Sequence, residues 1–384
     1  MNMFLSEKGR SIIIMVYAVV LTFSALYAPQ PLQPVLAGEF GITKAQAALL
    51  TTVTMIPLAI APIFFGYFLE SHSSKRLLIY GIGSLGALQL AMYFADNYYI
   101  IIMIRFLVGV SIPAVLTSVM TYISTANDKD AVQKKIAYYV SATIFGGFAG
   151  RFFSGLTASY FGWRWTFLFL ALSLALACYL VGKLSETKVN IEKPSLRIIT
   201  DVLKQRRFSA IYLLIFATFF CFAAVLNFIP FRVTEVSSGS SSFAVGLMYT
   251  GYMMGIVISL NSLRIVKLFG GEMRTIFTAL IFYGFTVAVF LVTELSLMFF
   301  GMFIFCCGMF LAHSVASGYV NKIAEDKKGV TNGLYVAFYY LGGTLGSFLP
   351  GFIYASYGWG SFLLSLSFVI FVSIIIAAFM LRKA

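Results

Sequence analysis

Twelve apolar runs, most of them about twenty residues or longer, recur along this chain of 384 residues. A helix needs about 20 such residues to cross the hydrocarbon core of a bilayer. A backbone in lipid must also satisfy its own hydrogen bonds. The runs therefore restrict the chain to membrane-spanning helices, predicted at 11–37, 45–68, 77–95, 98–124, 136–160, 165–183, 209–232, 243–263, 275–293, 296–320, 330–356 and 361–381. The uncharged stretch 329–381 is too long for one helix, and "YGWG" at 357–360 divides it, since two glycines beside aromatics suit an interfacial turn. Composition agrees: 11% of residues are charged, against about 25% in soluble domains. The 40 Phe and 22 Tyr suit lipid-facing and interfacial surfaces.

The net charge of +13 is explained by placement. The basic residues fall in short gaps between apolar runs, as the positive-inside rule describes, and not in a stripe that would hold nucleic acid. Lys75, Arg76, Lys129, Lys134, Lys135, Lys267, Arg274, Lys322, Lys327, Lys328, Arg382 and Lys383 share one side; Lys44, Arg164 and Arg232 lie toward the other. Both termini are accordingly expected in the cytoplasm, in a bacterial-type inner membrane. The first run, after Lys8 and Arg10, is longer than a signal-peptide core and is expected to remain as a span. Cys178, Cys221, Cys306 and Cys307 lie in apolar segments without metal-ligand spacing, so neither a disulfide frame nor a metal or other cofactor is expected.

The basic segment 184–207 separates two halves, 1–183 and 208–384. Within it Leu196, Ile199, Val202 and Leu203 share a helical face opposite Arg197, Asp201 and Lys204, the pattern of an amphipathic helix on the inner membrane surface. The halves repeat each other. "GGFAGRFFSGLTASYFGW" at 146–163 returns as "GGTLGSFLPGFIYASYGW" at 342–359, an offset of 196. The same offset carries Tyr139 onto Tyr335, Pro34 onto Pro230 and Glu39 onto Glu235. Duplication of this kind marks a transporter whose halves rock about a site between them. Gly146, Gly147 and Gly150, with Gly342, Gly343 and Gly346, form small-x-x-x-small patterns that let helices approach closely. Their matched positions suggest a sliding contact between the halves, with static packing as the alternative.

These residues resemble the major facilitator superfamily, in particular its twelve-helix drug:proton antiporter group. The likeness extends over essentially the whole chain and implies two pseudo-symmetric six-helix bundles. "GYFLESHSSKR" at 66–76 is similar to the family loop that latches the halves, with Gly66, Glu70, Lys75 and Arg76 in the matching places. It departs from that pattern at Glu70, Ser71 and Ser73. "RFLVGVSIPA" at 105–114 resembles the family's arginine motif, and "GGFAGR" an efflux branch without the usual proline. The resemblance implies export of drugs or small metabolites, including metal-chelating ones.

Ionisable groups deep in a membrane are costly and are functional candidates by default. All 14 acidic residues fall in loops or at helix ends, leaving Arg105, Arg151 and His313 as the deep groups, with Arg232 nearer an end. Arg105 and Arg151 lie at similar depth. Their guanidinium forks suit carboxylate or phosphate, so they await Glu39, Glu235 or an anionic substrate. Arg105 has a second reading as a structural clamp on backbone carbonyls. His313 is placed to carry a proton, or else to sit neutral in a bundle; Glu39 and Glu235 are rival proton sites. Tyr27 and Gln30 share a face of the first helix with Pro31 and Pro34, which bend it. Asn227, Tyr249, Tyr252, Tyr339 and Tyr340 are further candidates to line the path. The expectation is a monomeric proton-driven exporter of a small anionic or zwitterionic solute, with a proton-symport importer as the alternative and a non-transporting membrane receptor as a more distant one. No nucleophile and base share a pattern that would suggest an enzyme.

Overall fold

The computed structural model describes residues 7–69, 73–124, 129–184, 196–237, 239, 241–324 and 327–382. Among these the regular structure is helical throughout. The first half holds α1 (Glu7–Tyr27), α2 (Gln33–Phe40), α3 (Lys44–Leu69), α4 (Ser74–Phe94), α5 (Tyr98–Ser124), α6 (Lys129–Tyr160) and α7 (Trp163–Gly182). After α8 (Leu196–Lys204) come α9 (Arg206–Val236), α10 (Ser242–Met248), α11 (Met254–Phe269), α12 (Glu272–Thr286), α13 (Leu295–Ile323), α14 (Lys328–Gly346) and α15 (Pro350–Arg382). Ten helical stretches among the described residues are long and apolar enough to cross a membrane. The two predicted spans outside that set correspond to α6 and α14, whose glycines and polar residues, Arg151 among them, dilute their apolarity.

Local breaks follow the prolines and glycines. The predicted helix 11–37 stops at Tyr27 and continues, after a 3-10 turn over Gln30–Leu32, as α2. Pro29, Pro31 and Pro34 cannot donate the N–H groups a continuous helix requires. The predicted helix 330–356 is likewise interrupted after Gly346 and resumes at Pro350. Its first-half counterpart α6 runs unbroken, because the residue equivalent to Pro350 is Ser154. The division at "YGWG" is present: Gly358 has φ +79 inside α15, and its counterpart Gly162 has φ +94 before α7. Both copies thus turn at a glycine, the residue that adopts positive φ most readily.

The repeat extends to atomic contacts. A Cβ on Gly146 would lie 2.5 Å from the Val20 carbonyl oxygen, and one on Gly150 2.5 Å from Ser24 Cα. A Cβ on Gly342 would lie 2.1 Å from the Phe216 carbonyl oxygen, and one on Gly346 2.0 Å from that of Phe220. Val20 and Phe216, like Ser24 and Phe220, are themselves 196 apart. For these four glycines this corrects the expected sliding contact between halves: they press α6 onto α1 and α14 onto α9, each within its own half. Small-x-x-x-small spacing specifies a close approach, and tertiary topology chooses the partner. Gly147 and Gly343 face the other half, where an added Cβ would lie 3.2 Å from the Tyr252 ring and 3.3 Å from Met55 Sδ, and backbone meets backbone across the halves where Gly155 abuts Ser242 and Gly246.

The amphipathic α8 packs against α9 and α14, with Val202 fully buried and Leu203 exposed, so part of its predicted lipid face rests on protein. Of the latch residues, Glu70 lies outside the described residues and Gly66 falls within α3. Lys75 and Arg76 open α4, where the Ser73 hydroxyl accepts from the Arg76 N–H.

Gly146→Ala and Gly342→Ala should each lower stability by about 1–3 kcal/mol, because backbone stands where the new methyl must go. Gly182→Ala, with nothing within 4 Å of its Cβ position, should stay within about 0.5 kcal/mol of the parent. Thermal melts in detergent check the ranking.

Candidate functional site

The break after α1 exposes carbonyls inside an apolar bundle. Pro29 has no N–H to give the Ala25 carbonyl, and the turn that follows removes the regular partner of Leu26. Arg105, fully buried on α5, supplies the missing donors. Its Nη1 donates to Ala25 O at 2.8 Å, its Nη2 to Leu26 O at 2.6 Å, and its Nε to Leu50 O of α3 at 2.9 Å. This is the clamp reading. With its fork directed at backbone, Arg105 belongs to the frame and not to the wall of a binding site, which corrects its assignment as a substrate ligand.

The clamp fixes the chain from which Tyr27 and Gln30 project. Arg151, 1% exposed on α6, donates from Nε to Gln30 Oε1 at 2.6 Å and from Nη1 to the Gly147 carbonyl at 2.7 Å. Three tyrosine rings surround its guanidinium: Tyr27 at 3.9 Å, Tyr252 at 4.8 Å and Tyr249 at 5.2 Å from the ring centroids. Tyr249 and Tyr252 come from the other half. Ring faces are electron-rich and attract a desolvated cation. No carboxylate among the described residues pairs with Arg151.

Gln30 continues into a polar network that sequence reasoning saw only in part. Its Nε2 donates to Asn227 Oδ1 at 3.3 Å, and Gln33 Nε2 donates to the same oxygen at 2.6 Å. Asn227 Nδ2 donates to Ser347 O at 2.8 Å and Ala48 O at 3.3 Å. Thr52 Oγ1 lies 2.8 Å from Ser347 Oγ. One asparagine thus uses both its donors and its acceptor to join α9 and α14 to the α2 and α3 region, a full complement for an amide. Gln33, Thr52 and Ser347 were not among the candidates. Two signals pointed to them: Gln33 lies three residues past Gln30, and Ser347 is the repeat counterpart of Arg151.

The remaining candidates fall into two further groups. His313 Nδ1 lies 3.0 Å from the Tyr335 hydroxyl, and its ring is 4.9 Å from that of Tyr339. Tyr339 stacks on Phe219 at 3.7 Å, and Tyr340 meets the same ring edge-on at 5.9 Å. Ring contacts through Phe222 connect Phe219 to Tyr252 and hence to the Arg151 cage. The second group is an ionic rim at the end of the bundle where Trp163 lies. Glu39 accepts from Trp163 Nε1 at 2.5 Å and Arg164 Nη1 at 2.7 Å, and Arg164 also pairs with Asp96. Lys44 forms a cross-half ion pair with Glu235, which also accepts from the Tyr354 hydroxyl at 2.6 Å. Arg232 lies 3.6 Å from Glu235. Glu39 and Glu235 therefore answer rim cations; the structure does not bring them to Arg105 or Arg151.

Two halves whose glycine contacts repeat at one offset, meeting at a buried polar junction, form an architecture with known relatives. Residues 15–347 match the Major Facilitator Superfamily. The chain belongs to the Major Facilitator Superfamily. Over 344 residues it is 26% identical to the inner membrane transport protein YnfM of Escherichia coli, covering 88% of this chain and 82% of that one. An uncharacterized transporter of this superfamily, YybF of Bacillus subtilis, is 24% identical, with 94% and 91% covered. In fold, the chain is similar to a bacterial homologue of the human lysosomal transporter Spinster in an inward-facing, occupied conformation. That likeness has TM-score 0.80 at 13% identity and covers 97% and 96% of the two chains. A variant of the nucleoside transporter NupG gives TM-score 0.78 at 12% identity, covering 96% and 99%. This member of the superfamily is thus a multi-pass membrane protein whose relatives are transporters, not enzymes.

Arg105→Leu should cost at least about 3 kcal/mol, since it leaves the Ala25 and Leu26 carbonyls buried without donors. Arg105→Lys should restore only part of that, because one ammonium cannot replace the fork. Melting temperature and survival in detergent read both.

Proposed function

We propose that this superfamily member is a proton-coupled secondary transporter that exports a small anionic or zwitterionic organic solute by alternating access. A drug or a metal-chelating metabolite fits the description. In this reading α6 and α14 also cross the membrane, giving twelve spans in two six-helix bundles, and both termini lie in the cytoplasm of a bacterial-type cell. The observation that carries the proposal is Arg151: a buried guanidinium at the junction of the halves, caged by tyrosines and amides, with no carboxylate partner among the described residues. A lipophilic cation would require a deep acid there. A carboxylate or phosphate would instead find a charged fork, with Gln30 and Asn227 as neighbouring hydrogen-bonding groups and the tyrosine rings as apolar walls.

The junction suits alternation. Gln30, Gln33 and Asn227 tie the halves together near the Trp163 end, and the Lys44–Glu235 pair lies across the same end. Opening there separates Arg151 from Tyr249 and Tyr252 and frees it for a ligand. His313, linked to the cage through the Tyr339, Phe219 and Phe222 rings, is the candidate proton carrier; Glu235 and Glu39 are the alternatives at the rim.

Transport into everted membrane vesicles under an imposed proton gradient tests the direction and the coupling. A panel of organic anions, zwitterions and cations should yield a substrate among the first two classes. Arg151→Gln should reduce its flux at least about tenfold, the loss of roughly 1.4 kcal/mol or more, while Arg151→Lys retains an intermediate rate. An unchanged flux in Arg151→Gln sinks the substrate assignment. Solute that accumulates only in the direction in which the protons flow establishes the symport importer instead.

His313→Gln should abolish gradient-driven accumulation and leave solute exchange across the membrane intact. Retained accumulation moves the proton to Glu235 or Glu39.

A further inference from the structure

A lateral groove of about 280 Å³ opens between α1, α6 and α7, on the face of the first half turned away from the Arg151 cage. Its shape follows from small side chains. Gly150 allows α6 to press onto Ser24, and Ala149 and Ser154 leave a hollow that bulkier residues would fill. Phe145, Phe153 and Phe169, 41%, 55% and 45% exposed, stand at the wall with their rings accessible from outside. Because α1 and α7 belong to helical stretches long and apolar enough to span a membrane, that outside is lipid.

Polarity along the groove is uneven. Thr166 lies one helical turn below Trp163 and Arg164, whose ion cluster with Glu39 and Asp96 marks the aqueous boundary. Its hydroxyl is buried, the residue being 5% exposed, and has no hydrogen-bond partner. A threonine within a helix usually bonds the carbonyl four residues back. Here that residue is Gly162, the N-cap of α7, whose carbonyl accepts from the Trp165 N–H at 3.3 Å. Thr157 lines the same end, while Val20, Leu21 and Phe145 line the wall farther along α1 and α6. From Thr157 to Phe145 the groove follows α6 for about 18 Å at 1.5 Å per residue, close to one leaflet of a hydrocarbon core about 30 Å thick.

We propose that this groove binds one acyl chain of a phospholipid, with the chain along α6 and its ester group at Thr166. The buried hydroxyl supplies a donor at the depth where the ester carbonyl begins. The apolar wall takes the methylenes, and the length matches one leaflet. The site lies behind the α1–α6 crossing and does not depend on the nature of the transported solute.

The test uses the full chain in nanodiscs containing a phospholipid with a diazirine in one acyl chain. Photoadducts should concentrate on residues 145–157 and 166–173. Ala149→Phe and Ser173→Phe, which fill the groove, should reduce them at least about fivefold, equivalent to roughly 1 kcal/mol of binding. Thr166→Val keeps the shape and removes the donor; it should lower the phospholipid retained in native mass spectrometry about threefold to tenfold. Size-exclusion profiles and melting temperatures confirm folding, and Thr166→Val carries the test if a filled variant does not fold. Adducts spread evenly over all lipid-facing helices, and unchanged in the folded filled variants, overturn the proposal. Cross-links joining two copies of the chain through the groove, formed with a bifunctional reagent in the same nanodiscs, overturn it equally, by giving the groove to protein.

Discussion

Everything near the centre of this protein depends on one arginine that repairs a broken helix. Three prolines between residues 29 and 34 force the chain out of helical geometry inside a bundle where no solvent is assured. The carbonyls left behind would each cost free energy if unpaired. Arg105 meets two of them and ties the same guanidinium to α3. A single rigid fork therefore fixes the angle at which Tyr27, Gln30 and Gln33 enter the junction. Thr54 reinforces the fit by donating to the Arg105 carbonyl at 3.0 Å, and Gly109 allows the two backbones to touch there.

Around that repair the halves differ in their polar residues far more than in their packing. The glycine contacts of α6 on α1 recur in α14 on α9 with the same offset, and the glycine turns before Trp163 and Trp359 have the same sign of φ. Arg151 and Ser347 occupy equivalent positions but have different partners. The arginine addresses Gln30 and the tyrosine rings. The serine addresses Asn227 through its carbonyl and Thr52 through its hydroxyl. Duplication supplied the scaffold, and the charge was placed on one copy only.

Much of the fold was legible because its signals are local. A run of apolar residues, a proline or a glycine beside an aromatic acts on the backbone within a few residues, so ten of the spans, the bend in the first helix and the turn at Gly358 could be read directly. The repeat was legible because register survives when most side chains have changed. Contact partners were not. The spacing of Gly146 and Gly150 announces a close neighbour without saying which helix it is. Arg105 and Arg151, similar in depth and type, divide into a clamp and a caged cation only once the course of α1 is known. Gln33, Thr52 and Ser347 escaped notice because an uncharged polar residue carries no mark of which neighbour it bonds, yet a buried amide network needs every one of them.

The two kinds of contact differ in what can replace them. Backbone pressed against backbone at Gly146 or Gly342 has no substitute: drawn apart, it leaves a slot too narrow for either water or a lipid chain. The amide bonds of Asn227 have a near-equal substitute, since water offers the same donors and acceptors at little net difference in free energy. The molecule is thus welded at Gly146 and Gly342 and fastened at Asn227, while backbone also meets backbone across the halves at Gly155 and Gly246. Water at Asn227 can take over the amide bonds; the Gly155 contact has no such stand-in.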